Sequence, residues 1–177
     1  MHYKTLSTKI IHEHFFGKYI HEKFSYPSGK EGDYYYLETV GSGCSMVVPV
    51  LDDGRLILTL QYRYLRDRMS IEFPCGGFKV QEGPAQAAER ELLEDTGWRA
   101  EDLVKVGEFE GFKGSVKDTA HVFVARELAQ VCAPQNSEEE TVEIIYRRVD
   151  EFEDMIRRGE IWDGQTLAVW AMVRDYL

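Results

Sequence analysis

Residues 75–98, CGGFKVQEGPAQAAERELLEDTGW, decide the fold, and their second half predicts one helix. Pro84 suits the first helical position, where its missing amide hydrogen costs nothing. Gly97 suits the left-handed position that ends many helices. An apolar stripe at i, i+3 and i+7 lies between them: Ala85, Ala88 and Leu92. We therefore expect a helix between Pro84 and Gly97 that packs against a core.

Three carboxylates share one face of this helix, because Glu91, Glu94 and Asp95 are spaced i, i+3 and i+4. Like charges at this spacing repel by about 0.2–0.5 kcal/mol per pair. The acids also lie near the negative end of the helix dipole, where cations are preferred. A solvated acidic face is one interpretation. The other is a site for a hard divalent cation such as magnesium, which binds carboxylates and substrate phosphates together.

The spacing of the surrounding residues favours the second interpretation. Gly76 is followed after five residues by Glu82, and after seven more by the run Arg90-Glu91-Leu92-Leu93-Glu94-Asp95-Thr96-Gly97-Trp98. This pattern resembles the Nudix hydrolase box, a loop–helix–loop that binds magnesium and cleaves a nucleoside diphosphate linked to another group. The family has glutamate where this chain has Asp95. By the resemblance, Glu91, Glu94 and Asp95 are metal ligands, and Glu94 also belongs to the catalytic set.

Composition indicates one globular domain, with 177 residues of which 44% are hydrophobic and 29% charged. The 21 Lys and Arg residues against 31 Asp and Glu give a net charge of −10. No basic stripe is present, so we expect no nucleic-acid partner. A protein of this charge needs local cations or a bound metal to recruit an anionic substrate.

Cysteine usage indicates a reducing compartment. Cys44, Cys75 and Cys132 are odd in number and lack CxxC spacing, so neither a disulfide framework nor a zinc site is expected. There is no signal peptide, and no apolar run is long enough to span a membrane. We expect a cytoplasmic protein with no membrane partner.

The N-terminal third predicts antiparallel strands. Strand-forming aromatic and β-branched residues fill three stretches: 8–15, 18–26 and 33–40. The turn-rich PSGKEGD between the second and third predicts a hairpin with a long loop. Three consecutive tyrosines, 34–36, must point to both faces of a strand. They are either packing residues or contacts for a base or a second subunit.

Two apolar strands are predicted at 45–51 and 55–60, and Asp52-Asp53-Gly54 between them is a hairpin signal. The second strand ends in Gln61-Tyr62-Arg63, and Glu72-Phe73-Pro74 precedes the box. Both features resemble the Nudix branch that hydrolyses ADP-ribose and nucleotide sugars.

That branch resemblance implies roles for three residues. Arg63 contacts the pyrophosphate, which suits a planar guanidinium. The main-chain carbonyl of Cys75 is a metal ligand. Glu72 is an acid on the substrate and metal side of the site; a salt bridge with Arg66 or Arg68 is the alternative for it.

Strands at 103–109 and 119–125 follow the helix, and a polar segment then ends in Glu138-Glu139-Glu140 before a strand at 141–149. In the ADP-ribose branch, a glutamate-bearing loop here closes over the pyrophosphate. The resemblance makes Glu140 a metal ligand and Glu138 the general base, with Glu139 as the competitor.

The last third predicts two helices. Asp150 is expected to cap the first, with Glu153 completing a capping box, and Asp163 to cap the second. The fold class is then α/β, a Nudix α/β/α sandwich with a mixed sheet between helices. Residues 1–44 form N-terminal strands for dimerisation and the base side of the substrate; residues 45–177 form the Nudix domain. Relatives are typically homodimers that exchange their N-terminal strands.

The resemblance implies a function. It is hydrolysis, dependent on Mg²⁺ or substitute Mn²⁺, of the pyrophosphate bond of nucleoside diphosphate sugars, ADP-ribose or similar. The products are a nucleoside monophosphate and a sugar phosphate. Two alternatives remain: a catalytically weak Nudix-fold sensor of nucleotide sugars, which Asp95 favours, and a non-enzymatic adaptor with an acidic helix face.

Overall fold

The computed structural model describes residues 2–134 and 143–177. The strands in these ranges are β1 Lys4–His14, β2 Gly17–Ser25, β3 Glu31–Pro49, β4 Leu56–Arg63, β5 Arg68–Glu72, β6 Cys75–Gly77, β7 Trp98–Phe109, β8 Val116–Gln130 and β9 Glu143–Arg147. The helices are α1 Pro84–Thr96, α2 Val149–Arg157 and α3 Gly164–Val173, with 3-10 turns at Tyr64–Arg66 and Arg174–Tyr176. None of the helices described is long and apolar enough to cross a membrane.

Two sheets build the fold. The larger has the order β1-β2-β3-β8-β7, with the short β6 also on β3. Strands β3 and β8 are parallel and their other partners antiparallel, so this sheet is mixed. The smaller sheet has the order β5-β4-β9.

The larger sheet has a core on each face, because side chains alternate along β3. Val47 points to α1, where a small cluster contains Ala88, Leu92, Phe123 and Ala125. Met46 and Val48 point the opposite way, into the main core. There they meet residues of the smaller sheet, of the β5–β6 connection, and of α2 and α3: Leu56, Leu58, Phe73, Phe152, Met155, Val169 and Trp170 among them. The fold therefore has three layers: α1, the larger sheet, and a third layer formed by the smaller sheet with α2 and α3.

The predicted hairpin across Asp52-Asp53-Gly54 forms only at its turn, and the strands do not pair beyond it. The turn itself is present, since Gly54 donates to the Leu51 carbonyl at 2.8 Å and has a φ of +80°. The strands it joins, however, lie in different sheets, and only Val50 and Leu56 bridge directly. Both strands carry nearly continuous buried runs, which favour a place inside a sheet over a half-exposed hairpin.

The stretches 33–40 and 45–51 were expected as separate strands, but β3 runs through both. Its pairing with β8 shifts between Glu38 and Gly43, where Gly41 and Ser42 have positive φ values of 67° and 51°. This bulge lets one chain segment change direction without leaving the sheet. The predicted boundary between residues 1–44 and 45–177 falls within β3. The separate functions assigned to these two parts stay a prediction.

Helix ends follow local signals at two of three helices. Helix α1 begins at Pro84 and ends before Gly97, whose φ is 75°. Helix α3 is capped as expected, since Asp163 Oδ2 accepts from the Thr166 amide at 2.7 Å. The Asp150 cap is wrong. Helix α2 already begins at Val149, and Glu151 bonds back to the Arg148 amide at 2.9 Å, so Asp150 lies in the first turn.

Candidate functional site

Glu91 is a buried carboxylate at the centre of the candidate site. It is only 8% exposed, and its carboxylate lies against Gly76 of strand β6. An added Cβ at Gly76 would stand 1.9 Å from Glu91 Oε1, so any side chain there would displace this carboxylate. Burial raises the pKa of Glu91, and the charge of Glu94 adds to this, while Arg90 opposes it. The loop and the helix therefore position this carboxylate together.

Arg90 ties the loop before α1 to the helix. Its Nε and Nη2 donate to the two carboxylate oxygens of Glu82 at 2.7 and 2.8 Å, a bidentate pair. Nη2 also donates to the Gly77 carbonyl at 2.9 Å. Nη1 donates to Glu91 and, at 2.9 Å, to Glu94 Oε2. The hydrogen bonds that Glu82 accepts from Arg90 and from the Lys79 amide lower its pKa to about 2, which keeps it ionised as the anchor of the loop.

The acidic helix face combines carboxylates with two cations. Lys79 Nζ lies 3.1 Å from Glu94 Oε1, and Glu94 is about one-third exposed. Asp95 is half-buried on the same helix, four residues after Glu91. Within residues 2–134 and 143–177, no three His, Cys, Asp or Glu side chains are gathered as a metal site. Arg90 instead bonds two of the predicted ligands, Glu91 and Glu94.

The donor chemistry of this face fits a hard divalent cation. Carboxylate oxygens are the ligands that magnesium prefers. Four acids, Glu82, Glu91, Glu94 and Asp95, outnumber the two cations Arg90 and Lys79, so the cluster keeps negative charge. The glycine at position 76 leaves no side chain between Glu91 and the loop. A cation bound to Glu91 would compete with Arg90 for that carboxylate.

Arg63 and Glu72 form a second ion pair, one that joins β4 to β5. Arg63 Nε donates to Glu72 Oε1 at 2.7 Å, and Nη2 donates to Oε2. Glu72 is 5% exposed, and the pair raises the pKa of Arg63. The alternative salt bridge of Glu72 with Arg66 or Arg68 is therefore wrong, because Arg63 occupies both carboxylate oxygens.

Cys75 lies near both the Glu91 carboxylate and the Arg63–Glu72 pair. Strand β6 places it opposite Met46 of β3. The Cys44 thiol, burial and the nearby carboxylates of Glu91 and Glu72 all raise its pKa well above the ordinary value. The thiol is therefore protonated at neutral pH. Cys44, Cys75 and Cys132 are all free thiols.

A large open groove of about 1380 Å³ borders the Arg63–Glu72 pair. Its walls come from the end of β4, the start of β5, the segment after β7, and the α2–α3 connection. Aromatic residues line much of it: Tyr62, Tyr64, Phe109, Phe112 and Trp162. A groove of this size exceeds the volume of most small-molecule sites.

Comparison with known proteins places this geometry in a family. The model of the NUDIX domain matches residues 43–169. The chain belongs to the Nudix family. The match includes the whole box, from Gly76 to Trp98, and both ion pairs described above.

Curated relatives and a solved structure agree with this assignment. An ADP-ribose pyrophosphatase of Bacillus subtilis (strain 168) is 30% identical over 169 residues, 92% of this chain and 90% of the relative. A GDP-mannose pyrophosphatase of Yersinia enterocolitica is 28% identical over 135 residues, 72% of this chain and 70% of the relative. The crystal structure of an ADP compounds hydrolase superposes with a TM-score of 0.85 at 19% identity, covering 100% of this chain and 95% of that one. The predicted Nudix α/β/α fold is confirmed.

The Nudix chain brings some predicted residues together and leaves others apart. Glu91 and Glu94 meet at Arg90, and Arg63 meets Glu72. Cys75 lies within electrostatic reach of both Glu91 and Glu72. The proposed base, Glu138 or its competitor Glu139, and the proposed ligand Glu140 lie outside the described residues.

Sequence reasoning missed the contact between two residues of the groove. Arg68 and Trp162 are far apart in the chain, yet the Arg68 guanidinium lies 3.8 Å from the centroid of the Trp162 ring. No motif contains either residue. The available signal was a tryptophan in a short connection between two predicted helices, where binding residues are disproportionately found.

Proposed function

We propose that this Nudix protein is a pyrophosphohydrolase of nucleoside diphosphate sugars, ADP-ribose or a similar compound. The products are a nucleoside monophosphate and a sugar phosphate. The observation that carries the proposal is the buried Glu91 carboxylate under Gly76, held by the Arg90 network of the Nudix box. The names of the relatives, ADP-ribose pyrophosphatase and GDP-mannose pyrophosphatase, support the substrate class.

Magnesium, with manganese as a substitute, is the proposed cofactor. The proposed ligands are the Cys75 carbonyl and the carboxylates of Glu91, Glu94, Asp95 and Glu140. Support comes from the oxygen donors and excess negative charge of α1. Such a cation supplies charge neutralisation at the diphosphate and Lewis-acid activation of water and leaving group.

The protein's own residues have separate roles in this proposal. Arg63 binds the diphosphate through its guanidinium, and Glu72 fixes the orientation of that guanidinium with two hydrogen bonds. Glu138, or Glu139 in its place, accepts the proton of the attacking water. Arg90 and Glu82 keep the box loop against α1, so that Glu91 keeps its position.

A homodimer is the proposed assembly, and a second copy of the chain the expected macromolecular partner. Strand β1 is the edge of the larger sheet, and every one of its eleven residues is exposed. An edge with exposed Leu6, Ile10 and Ile11 offers both unpaired backbone groups and apolar surface. The net charge of −10 argues against a nucleic-acid partner. A cytoplasmic location stays a prediction.

The test is a panel of nucleotide sugars, including ADP-ribose and GDP-mannose, incubated with and without magnesium. We expect release of the nucleoside monophosphate and the sugar phosphate, dependent on the metal. Binding without turnover across the panel would overturn the hydrolase proposal in favour of a nucleotide-sugar sensor. If the protein neither bound nor cleaved any compound of the panel, only the adaptor interpretation would remain.

A further inference from the structure

The groove beside the Arg63–Glu72 pair has one wall that the proposed diphosphate chemistry does not use. Trp162 in the α2–α3 connection is fixed there, because its indole Nε1 donates to the Met69 carbonyl at 3.1 Å. The Arg68 guanidinium covers one face of this ring at 3.8 Å from the centroid. Arg68 and Trp162 therefore form an ordered pair that joins β5 to the helical layer.

The other face of Arg68 is available to a ligand. Arg68 is an exposed residue, and it forms no ion pair with any residue in 2–134 or 143–177. A guanidinium is planar and weakly hydrated, so it stacks on aromatic rings through both faces. Exposed aromatic side chains line the same groove: Tyr64 is 84% and Phe112 59% exposed.

We infer that the nucleobase of the substrate stacks on the Arg68 guanidinium, on the side opposite the Trp162 ring. This inference rests on the proposed function and places the base-binding wall in residues 45–177, in place of the N-terminal strands expected from the sequence. Arg63 and Arg68 line the same groove and are directly paired across β4 and β5, so a nucleotide whose phosphates contact Arg63 can place its base over Arg68. The amide of Gln165 also lines it and has no hydrogen-bond partner in the described part of the chain, so it offers a donor and an acceptor to the base edge.

Calorimetric binding of two product-like compounds tests the inference. AMP carries a base and a phosphate; ribose 5-phosphate carries the sugar and phosphate alone. We expect the wild type to bind AMP at least about tenfold more tightly, because the stacked base adds a contact that ribose 5-phosphate lacks. AMP, but not ribose 5-phosphate, should also quench the fluorescence of Trp162. The Trp162→Phe variant identifies this contribution, because it lacks the fluorescence of that residue.

Variants separate stacking from charge. Arg68→Lys keeps the charge and loses the planar surface, and we expect it to abolish the AMP preference while binding of ribose 5-phosphate stays unchanged. Arg66→Ala is the matched control, because Arg66 lines the same groove without stacking on an aromatic ring. It removes one positive charge and should leave the ratio of the two dissociation constants unchanged.

The outcomes of this experiment are independent of turnover. An AMP preference that survives in Arg68→Lys overturns the inference, even if the protein hydrolyses every nucleotide sugar in the panel. An AMP preference lost in Arg68→Lys and kept in Arg66→Ala supports it, even if no substrate in the panel is cleaved. Equal affinity of the wild type for AMP and ribose 5-phosphate also overturns it.

Discussion

Gly76 and Glu91 lie in such close contact that a single methyl group on Gly76 would meet the carboxylate at 1.9 Å. The contact joins the β6 loop to the middle of α1, two elements that the Nudix box places in a fixed order. A larger residue at this point would displace the Glu91 side chain but would not strain the backbone, since the φ of Gly76 is not in the left-handed region.

The first prediction is that Gly76→Ala displaces the Glu91 carboxylate and lowers kcat/KM by about 100-fold, the size of effect that a displacement of about 1 Å can have. Gly77→Ala is the control, because a Cβ at Gly77 meets no atom within 4 Å. Steady-state kinetics on ADP-ribose and the melting temperature are measured for both. Equal kinetics in the two alanine variants would contradict the assigned contact.

The second prediction concerns the charge of Glu91. Glu91→Gln keeps the size of the side chain and removes its charge, so we expect turnover to fall by about 10²–10⁴-fold, because a bound metal contributes several kcal/mol to such reactions. The circular-dichroism spectrum should not change. Glu89→Gln, at an exposed position of the same helix, should keep normal turnover. Near-normal activity in Glu91→Gln would show that the metal assignment is wrong.

Helix α1 was predictable because its signals are local. Pro84 and Gly97 fix its two ends, and the spacing of the acids fixes its polar face. The pairing of β3 could not be predicted in this way. The turn at Asp52-Asp53-Gly54, which follows β3, has the same sequence whether it joins two paired strands or two strands in different sheets. Pairing is decided by which partner covers a buried apolar run, and for β3 that partner is the distant β8.

The candidate site divides in the same way. The box motif identified Glu91 and Glu94 as neighbours, because helical spacing alone brings them together. The pairing of Arg63 with Glu72 depends instead on the register of β4 against β5, which no local pattern specifies. Arg68 and Trp162 meet only because the helical layer packs on the smaller sheet, so their contact follows from the completed fold.

The third prediction is a pH dependence that belongs to Glu82. Its pKa falls from 4.5 to about 2 because Arg90 bonds the ionised form, so its contribution to stability is fully present above pH 4.5. That contribution is lost as the pH falls towards 2, where the folded-state carboxylate takes up its proton. Glu82→Gln should therefore lower the free energy of unfolding by about 2 kcal/mol at pH 7.

Urea denaturation from pH 7 down to pH 2 measures this difference. The gap between the wild type and Glu82→Gln should stay constant to about pH 4.5 and then shrink. Subtraction removes the common titration of the other carboxylates. A gap of the same size at pH 2 and pH 7 would contradict the role of Glu82 as an ionised anchor.

The fourth prediction concerns Arg63. Arg63→Lys keeps the positive charge but cannot form the bidentate pair with Glu72, so the cation is no longer oriented in the groove. We expect KM for ADP-ribose to rise about tenfold, the size of one charged hydrogen bond, with a smaller effect on kcat. Arg55→Lys, on an exposed arginine that pairs with Asp53, is the control. A KM unchanged in Arg63→Lys would refute the contact with the diphosphate.

The fifth prediction concerns the edge strand β1. If two chains associate through this strand, its apolar side chains are covered in the dimer, and a buried lysine among them would be left without a partner. Ile11→Lys should therefore convert a dimer into a monomer, as measured by light scattering after size exclusion. Ser7→Lys adds the same charge at an exposed polar position of the strand and should leave the dimer intact. A wild type that elutes with the mass of a single chain would remove the basis for this interface.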